Sequence, residues 1–282
     1  MDTIVGLGKT GCGIADELTA YPEYRIYKIG PENPSRGDFD VEPQPDIEAY
    51  ESSMDTEEMS SYLRNIKKSD EVLFIVGGGE PISGMSLKIL EQINHAKIHV
   101  LYVAPDRQVS THIQCRDDRI VGSVLQEYAR SGMLERIYLV SRPEVEQLVG
   151  DVSIAQYEKT INHFISYVVA MINYYNHTEA LLNNRSPMSE LSRIATFGVS
   201  SLDEGASVSY LYHLASWEHA HYYYGIPSEE LEQNNQLLRQ IKEQTKNLTQ
   251  EGVDTSFSVY STTFEQIMVL ALFHTKDPQL IK

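Results

Sequence analysis

Two clusters of glycine, each set between a short apolar strand and a helical pattern, constrain the fold of this 282-residue chain more than any other feature. The first, Gly6-Leu7-Gly8-Lys9-Thr10-Gly11-Cys12-Gly13, follows Thr3-Ile4-Val5. The second, Gly77-Gly78-Gly79-Glu80-Pro81-Ile82-Ser83-Gly84, follows Glu71-Val72-Leu73-Phe74-Ile75-Val76 and leads into a helical run from Met85. Backbone amides gathered at a helix N-terminus suit an anion, and glycine lets the chain come close to it. The first cluster also fits G-x-G-x-x-G, with Glu32 placed where a ribose-binding acid belongs in a dinucleotide site. It is not a Walker A loop, because Thr3 stands where that motif needs a glycine. A bland alternative is that these glycines only permit tight strand-to-helix turns.

The surrounding pattern alternates strand and helix up to about residue 140. Strands are expected at Thr3–Val5, Tyr24–Ile29, Val72–Val76, Ile98–Ala104 and Arg136–Val140. Helices are expected at Gly13–Ala20, Thr56–Ile66, Met85–Asn94 and Ile120–Ser131, with Pro31–Asp46 as a long loop. Short apolar strands joined by helices give a largely parallel sheet with helices on both faces. From Ile154 to Leu182 the apolar period becomes helical, which at 1.5 Å per residue predicts a helix of roughly 40 Å. Beyond it a smaller α+β lobe is expected. It would hold helices at Met188–Thr196, Val208–Tyr222 and Ser228–Leu248, then a strand pair, Ser256–Ser261 and Ile267–His274. The expected division is 1–152, a connecting helix and loop at 153–187, and 188–282.

Composition narrows the function. A formal charge of −17 argues against nucleic acid or an anionic membrane as partner. Two cysteines, Cys12 and Cys115, make no disulfide framework and no CxxC metal motif. Neither a leader peptide nor a membrane-spanning stretch is expected. These features together suggest a cytoplasmic protein. The run Trp217-Glu218-His219-Ala220-His221 invites a metal reading. On a helix, however, the two histidines would face different ways, so packed aromatic surface, as at a subunit contact, is the better reading. With 18 tyrosines to 7 phenylalanines, half-buried contact surfaces are expected. Asp117-Asp118-Arg119 and the acids of Pro31–Asp46 read as solvated loop charge.

Two glycine-rich strand-to-helix loops, followed some eighty residues later by a long helix, resemble the tubulin/FtsZ family of GTPases over most of the chain. The resemblance places Gly6, Gly8, Lys9, Thr10, Gly11 and Cys12 in the first nucleotide loop. It places Gly77, Gly78, Gly79, Ser83 and Gly84 at the family's signature, G-G-G-T-G-T-G or G-G-G-T-G-S-G. Tyr157 and Asn162 have the FtsZ-like spacing of a ring-stacking aromatic and a guanine-reading residue. GTP or GDP is the ligand so implied, with no metal ligand set, and self-association or a heteromeric protein assembly is the partnership.

The departures are specific. Glu80-Pro81 replaces the signature's Thr-Gly. A carboxylate about 4 Å from a phosphate charge costs roughly 4 kcal/mol at an effective dielectric near 20, and Pro81 removes an amide donor. The family's hydrolysis loop, N-x-D-x-x-D, falls on Leu182–Pro187, where Asn183, Asn184, Arg185 and Ser186 hold no carboxylate. The first acid beyond is Glu190, the one catalytic candidate. The expectation is a non-hydrolysing structural member, a subunit of a filament or of a viral or other multi-subunit particle assembled inside a cell. Alternatives are a GTP-binding polymerising GTPase and a Rossmann-type dinucleotide protein using Gly6, Gly8, Gly11 and Glu32.

Overall fold

The structure, a computed structural model, describes residues 1–31, 38–185, 189–202 and 207–279. Glu32, Ser186, Pro187 and Met188, which figure in the sequence reading, lie outside the described residues. By compactness the chain divides into Met1–Tyr167 with Pro278–Lys282, and Val168–Asp277.

The first unit is built on six strands: β1 (Thr3–Leu7), β2 (Arg25–Gly30), β3 (Phe39–Asp40), β4 (Glu71–Gly77), β5 (Lys97–Ala104) and β6 (Arg136–Ser141). They lie in the order β3-β2-β1-β4-β5-β6, every pair parallel. Apolar side chains on both faces explain why β1 and β4 are buried almost end to end. Its helices are α1 (Gly8–Leu18), α2 (Ile47–Ser53), α3 (Thr56–Leu63), α4 (Ser86–Gln92, after a 3-10 turn over Pro81–Met85), α5 (His112–Arg130) and α6 (Arg142–Val149). Strand order sets the site. After β1 the chain moves outward to β2 and β3, then returns to add β4 on the other side. The carboxyl ends of β1 and β4 are therefore neighbours, with Leu7 in register with Val76. Clefts form at such reversals of strand order, and both glycine clusters emerge here.

Helix α7 (Tyr157–Asn176) is the long helix of the sequence pattern, with its first residues in one unit and its last in the other. It is shorter than Ile154–Leu182. Ile154 lies in a turn, 97% exposed, and beyond Asn176 the chain extends into a strand. No helix of the described residues is long and apolar enough to cross a membrane.

The second unit holds β7 (Leu182–Asn183), β8 (Ile194–Ser200), β9 (Ser209–Tyr210), β10 (His219–Pro227), α8 (Ser228–Gln233), α9 (Leu237–Leu248), β11 (Asp254–Thr262) and β12 (Met268–Thr275). Its sheet runs β8-β12-β10-β11-β7, with β9 on β8. Two helical expectations are overturned. The stretch expected as helix at Met188–Thr196 ends in strand β8, and that at Val208–Tyr222 gives β9 and the start of β10. A run without clear alternation, such as Ala220 to Ile226, fits either period. Tyrosine and isoleucine on a surface covered from both sides settle it as strand. The two C-terminal strands form as expected but do not pair with each other. Strand β10 lies between them, parallel to β11 and antiparallel to β12.

Behind β10, Tyr175 stacks on Tyr260 at 4.5 Å and on Tyr223 at 5.8 Å. His219 and His221 therefore sit two apart on a strand, not on a helix. His221 is buried, with Nδ1 2.7 Å from Ser256 Oγ and Nε2 2.9 Å from Ser258 Oγ. Ser258 donates its hydrogen to Asn183 Oδ1, so Nε2–H donates to Ser258 and Nδ1 accepts from Ser256. A neutral ring satisfies both contacts, and burial together with the charge of Arg185 lowers its pKa to about 3. Among the described residues no three His, Cys, Asp or Glu side chains are grouped to hold a metal.

Candidate functional site

A cleft of about 390 Å³ opens where the two glycine clusters meet, lined among others by Lys9, Gly78, Glu80, Arg142, Glu146 and Tyr157. Helix α1 begins at Gly8, five residues earlier than expected, so the first cluster is itself the helix's first turn. Its N-cap position, Leu7, has no side chain able to cap. Glu80 supplies the cap from the other loop. The backbone N–H of Lys9 donates to Glu80 Oε2 at 2.9 Å, and that of Thr10 to Oε1 at 3.0 Å. A carboxylate held in both oxygens at a helix N-terminus satisfies two otherwise open donors and faces the positive end of the helix dipole.

The glycines around it are shaped to this carboxylate. A Cβ on Gly8 would lie 2.3 Å from Glu80 Oε2, and one on Gly77 would lie 2.6 Å from Oε1. Gly8 also takes a φ of +73°, which other residues rarely adopt. The remaining predicted glycines serve close packing. A Cβ on Gly6 would meet Gly11 O at 2.5 Å, one on Gly11 would meet Ile75 O at 2.3 Å, and one on Gly84 would meet Ile47 O at 2.1 Å. Gly78 and Gly79 lie against α5, where a Cβ would fall 2.3 Å from Asp118 Oδ1 and 2.9 Å from Gln114 O respectively.

Of the other residues expected in a nucleotide site, only some reach the cleft. Lys9 does, and its ammonium bonds Glu158 at 3.2 Å. Thr10 lines it too, through the amide that Glu80 occupies. Tyr157 lines it, donating its hydroxyl to Glu146 and lying under the Arg142 guanidinium at 5.8 Å. Asn162, also on α7, is buried against Gly13, whose Cβ would fall 2.4 Å from Asn162 Nδ2. Cys12 is a buried thiol with Sγ 3.5 Å from both Gly6 O and Ile29 O, its single hydrogen shared between them, and burial pushes its pKa up to about 12. Ser83 is buried within the 3-10 turn, its amide donating to Glu80 O at 2.9 Å. Glu190 is an exposed residue in a turn of the second unit.

Three cleft features escaped the sequence. Arg142, at the start of α6, bonds Glu158 at 3.3 Å, and with Lys9 it holds that carboxyl below its ordinary range. Glu146 belongs to a helix that went unanticipated. The third is a correction: Asp117 and Asp118 are fully buried, not solvated. Asp118 accepts from Tyr102 OH at 2.6 Å and Arg107 Nε at 2.9 Å, and so backs the second glycine loop. The missed signal was Thr111-His112-Ile113-Gln114, a capping box that starts α5 eight residues ahead of the expected helix. Of the described acids of the Pro31–Asp46 loop, two are likewise engaged, while Asp40 and Glu42 are exposed. Asp38 pairs with Lys28 at 2.9 Å, and Asp46 caps α2 through Ala49 N at 2.8 Å.

No protein-family model matches this chain, and no curated protein sequence does. Solved structures do. An empty FtsZ dimer from M. jannaschii superposes with a TM-score of 0.69 at 13% identity, over 97% of this chain and 87% of that one. CetZ2 from Haloferax volcanii, in a GTPγS-bound protofilament, gives 0.69 at 14%, over 99% and 95%. A helical filament of four strands of TubZ-Bt gives 0.72 at 14%, over 99% and 87%. The chain has the tubulin/FtsZ fold.

That fold raises the question of a guanine nucleotide, and the residues at the phosphate end do not fit one. The Lys9 and Thr10 amides are taken by Glu80, and the Gly78 amide donates to Val103 O at 2.8 Å. Cys12 and Ser83 are turned into the protein. A phosphate at the head of α1 would have to displace a carboxylate of its own sign.

Proposed function

We propose that this chain is a non-hydrolysing structural subunit of a larger protein assembly. The observation that carries this reading is the segment after α7, where the fold's hydrolytic acids are expected. Here Leu181 to Asn184 is zipped onto β11 and contains no carboxylate, and the one acid between α7 and this stretch, Glu179, is exposed. Asn183 Oδ1 accepts from Arg185 N at 2.7 Å and Ser258 Oγ at 3.1 Å, while Asn184 Oδ1 accepts from Phe257 N at 2.6 Å. Its polar groups are thus engaged within the unit and hold no base for activating water. What the segment does present outward is apolar: Leu181 is 58% exposed and Leu182 45% exposed. Exposed leucines without catalytic groups suit a contact surface. The similar structures described as dimers, protofilaments and filaments support the same view, with self-association as its simplest form.

Sedimentation velocity and electron microscopy, with and without GTP, test it alongside a phosphate-release assay. The wild type is expected to form oligomers whose size does not depend on GTP, with no phosphate released above background. Leu181→Glu/Leu182→Glu is expected to weaken assembly at least tenfold while leaving the melting temperature within a degree or two. GTP turnover that disappears in Lys9→Ala would overturn the reading. So would a wild type that stays monomeric and recruits no protein partner.

A further inference from the structure

We propose that Glu80 is a resident anion: its carboxylate stands permanently at the head of α1, where this fold would seat a phosphate. The first unit is thereby held in one state with no nucleotide bound. This deepens the proposed function by giving the reason an assembly of this chain would have no nucleotide switch.

Two independent observations carry it. One is the hydrogen-bond pattern, in which each oxygen takes one amide, Lys9 N at 2.9 Å and Thr10 N at 3.0 Å. A phosphate oxygen pair would take such donors in the same way. The other is the cradle. Gly8 and Gly77 come from different loops, and a methyl group on either would overlap a different oxygen of the same carboxylate, at 2.3 and 2.6 Å. The same two positions also border the Ile82 and Thr10 side chains, at 2.7 and 2.8 Å. Local geometry then fixes the side chain's path. Glu80 is the N-cap of the 3-10 turn that Pro81 opens, and its own carbonyl is bonded by Ser83 N at 2.9 Å. Its backbone is therefore pinned while its side chain spans to α1. Pro81, which deletes a donor from the second glycine loop, instead fixes the residue that replaces the phosphate.

Removing the carboxylate should uncover a latent site for a small oxyanion, namely two unfilled amides at a helix N-terminus inside a glycine cradle. The experiment compares melting temperatures of the wild type and Glu80→Ala in chloride, inorganic phosphate and pyrophosphate at matched ionic strength. Glu80→Ala is expected to melt about 2–4 °C lower in chloride, the range for loss of one strong cap in a domain of this size. Millimolar pyrophosphate should restore at least half of that shift, and phosphate less. The wild type should move by less than a degree in either anion.

Should Glu80→Ala not fold, Glu80→Gln serves in its place. It keeps the volume and one acceptor but sets an NH₂ against an amide donor, so it too should melt lower and recover in pyrophosphate. The inference is overturned if neither variant is destabilised or if neither recovers in either anion. It is equally overturned if pyrophosphate stabilises the wild type as much as the variants. GTP hydrolysis by the wild type would defeat the proposed function and this inference together, whereas failed anion recovery without GTP hydrolysis defeats the inference alone, so the two failures are told apart.

Discussion

Asp118 is a carboxylate without solvent exposure, and the residue scale of this protein is best read from it. It joins Tyr102 on β5 to Arg107 in the following loop and packs against Gly78 of the second glycine loop. Breaking a buried charge pair from one side leaves the partner uncompensated. Because Arg107 keeps 28% of its side chain exposed, the cost falls at the lower end of that class. Asp118→Asn is expected to lower the unfolding free energy by about 2–3 kcal/mol in urea titrations, against under about 0.5 kcal/mol for the exposed neighbour Arg119→Gln. Equal effects would show that the two adjacent charges play the same part after all. In the sequence these residues belong to a run of four consecutive charges, Arg116 to Arg119, and nothing in their type separates the buried from the exposed. The helical period separates them, once the capping box fixes where α5 starts.

At the scale of elements, the packing of α1 on β4 explains why the first cluster holds more glycines than a turn requires. Gly6 and Gly11 let a helix and a strand approach until backbone meets backbone. Gly11→Ala would press its Cβ to 2.3 Å from Ile75 O, an atom that cannot swing away. The expected loss is about 2–3 kcal/mol of stability, seen in thermal melts and unrelieved by any anion, in contrast to the Glu80 variants. Recovery of Gly11→Ala in pyrophosphate would mean that this glycine serves the anion site instead of the packing. Such close approaches look the same in the sequence as a phosphate cradle, since both demand glycine. Strand β10 shows the converse ambiguity. His-Ala-His-Tyr-Tyr-Tyr-Gly-Ile carries no alternation because both of its faces are covered, and its partners β11 and β12 follow it in the chain.

For the molecule as a whole, each unit carries a neutral, buried histidine. His99 lies in the first, its pKa lowered to about 3 by burial and then by Arg136; His221 lies in the second, lowered to about 3 by burial and Arg185. The unfolded chain binds a proton at each below about pH 6.5, whereas the folded chain does so only near 3. Between those values the unfolded state holds more protons, so stability rises with pH. It is complete above about 6.5 and is lost as the pH falls, by roughly 1.4 kcal/mol per pH unit for each histidine. Unfolding midpoints measured from pH 7 to 4.5 should fall steadily, and His221→Gln should flatten the dependence of the second unit. A midpoint constant across that range would contradict this account.

Periodicity and glycine placement were enough to determine the parallel sheet of the first unit, the long helix and the two glycine-rich strand-to-helix loops, because apolar patterns and strand-to-helix turns are local consequences of backbone geometry. The same local information showed that Leu182–Pro187 holds no carboxylate, although the helix ends earlier, at Asn176, and so leaves Glu179 in the loop as well. Only the tertiary structure decided what Glu80 does. As a charge in a list of residues, it opposes a phosphate; seventy positions away in the chain, α1 offers it two amides, and the same charge becomes the one that fills the site. Attraction and repulsion depend on distance and direction in space, and those are set when β1 and β4 pair side by side.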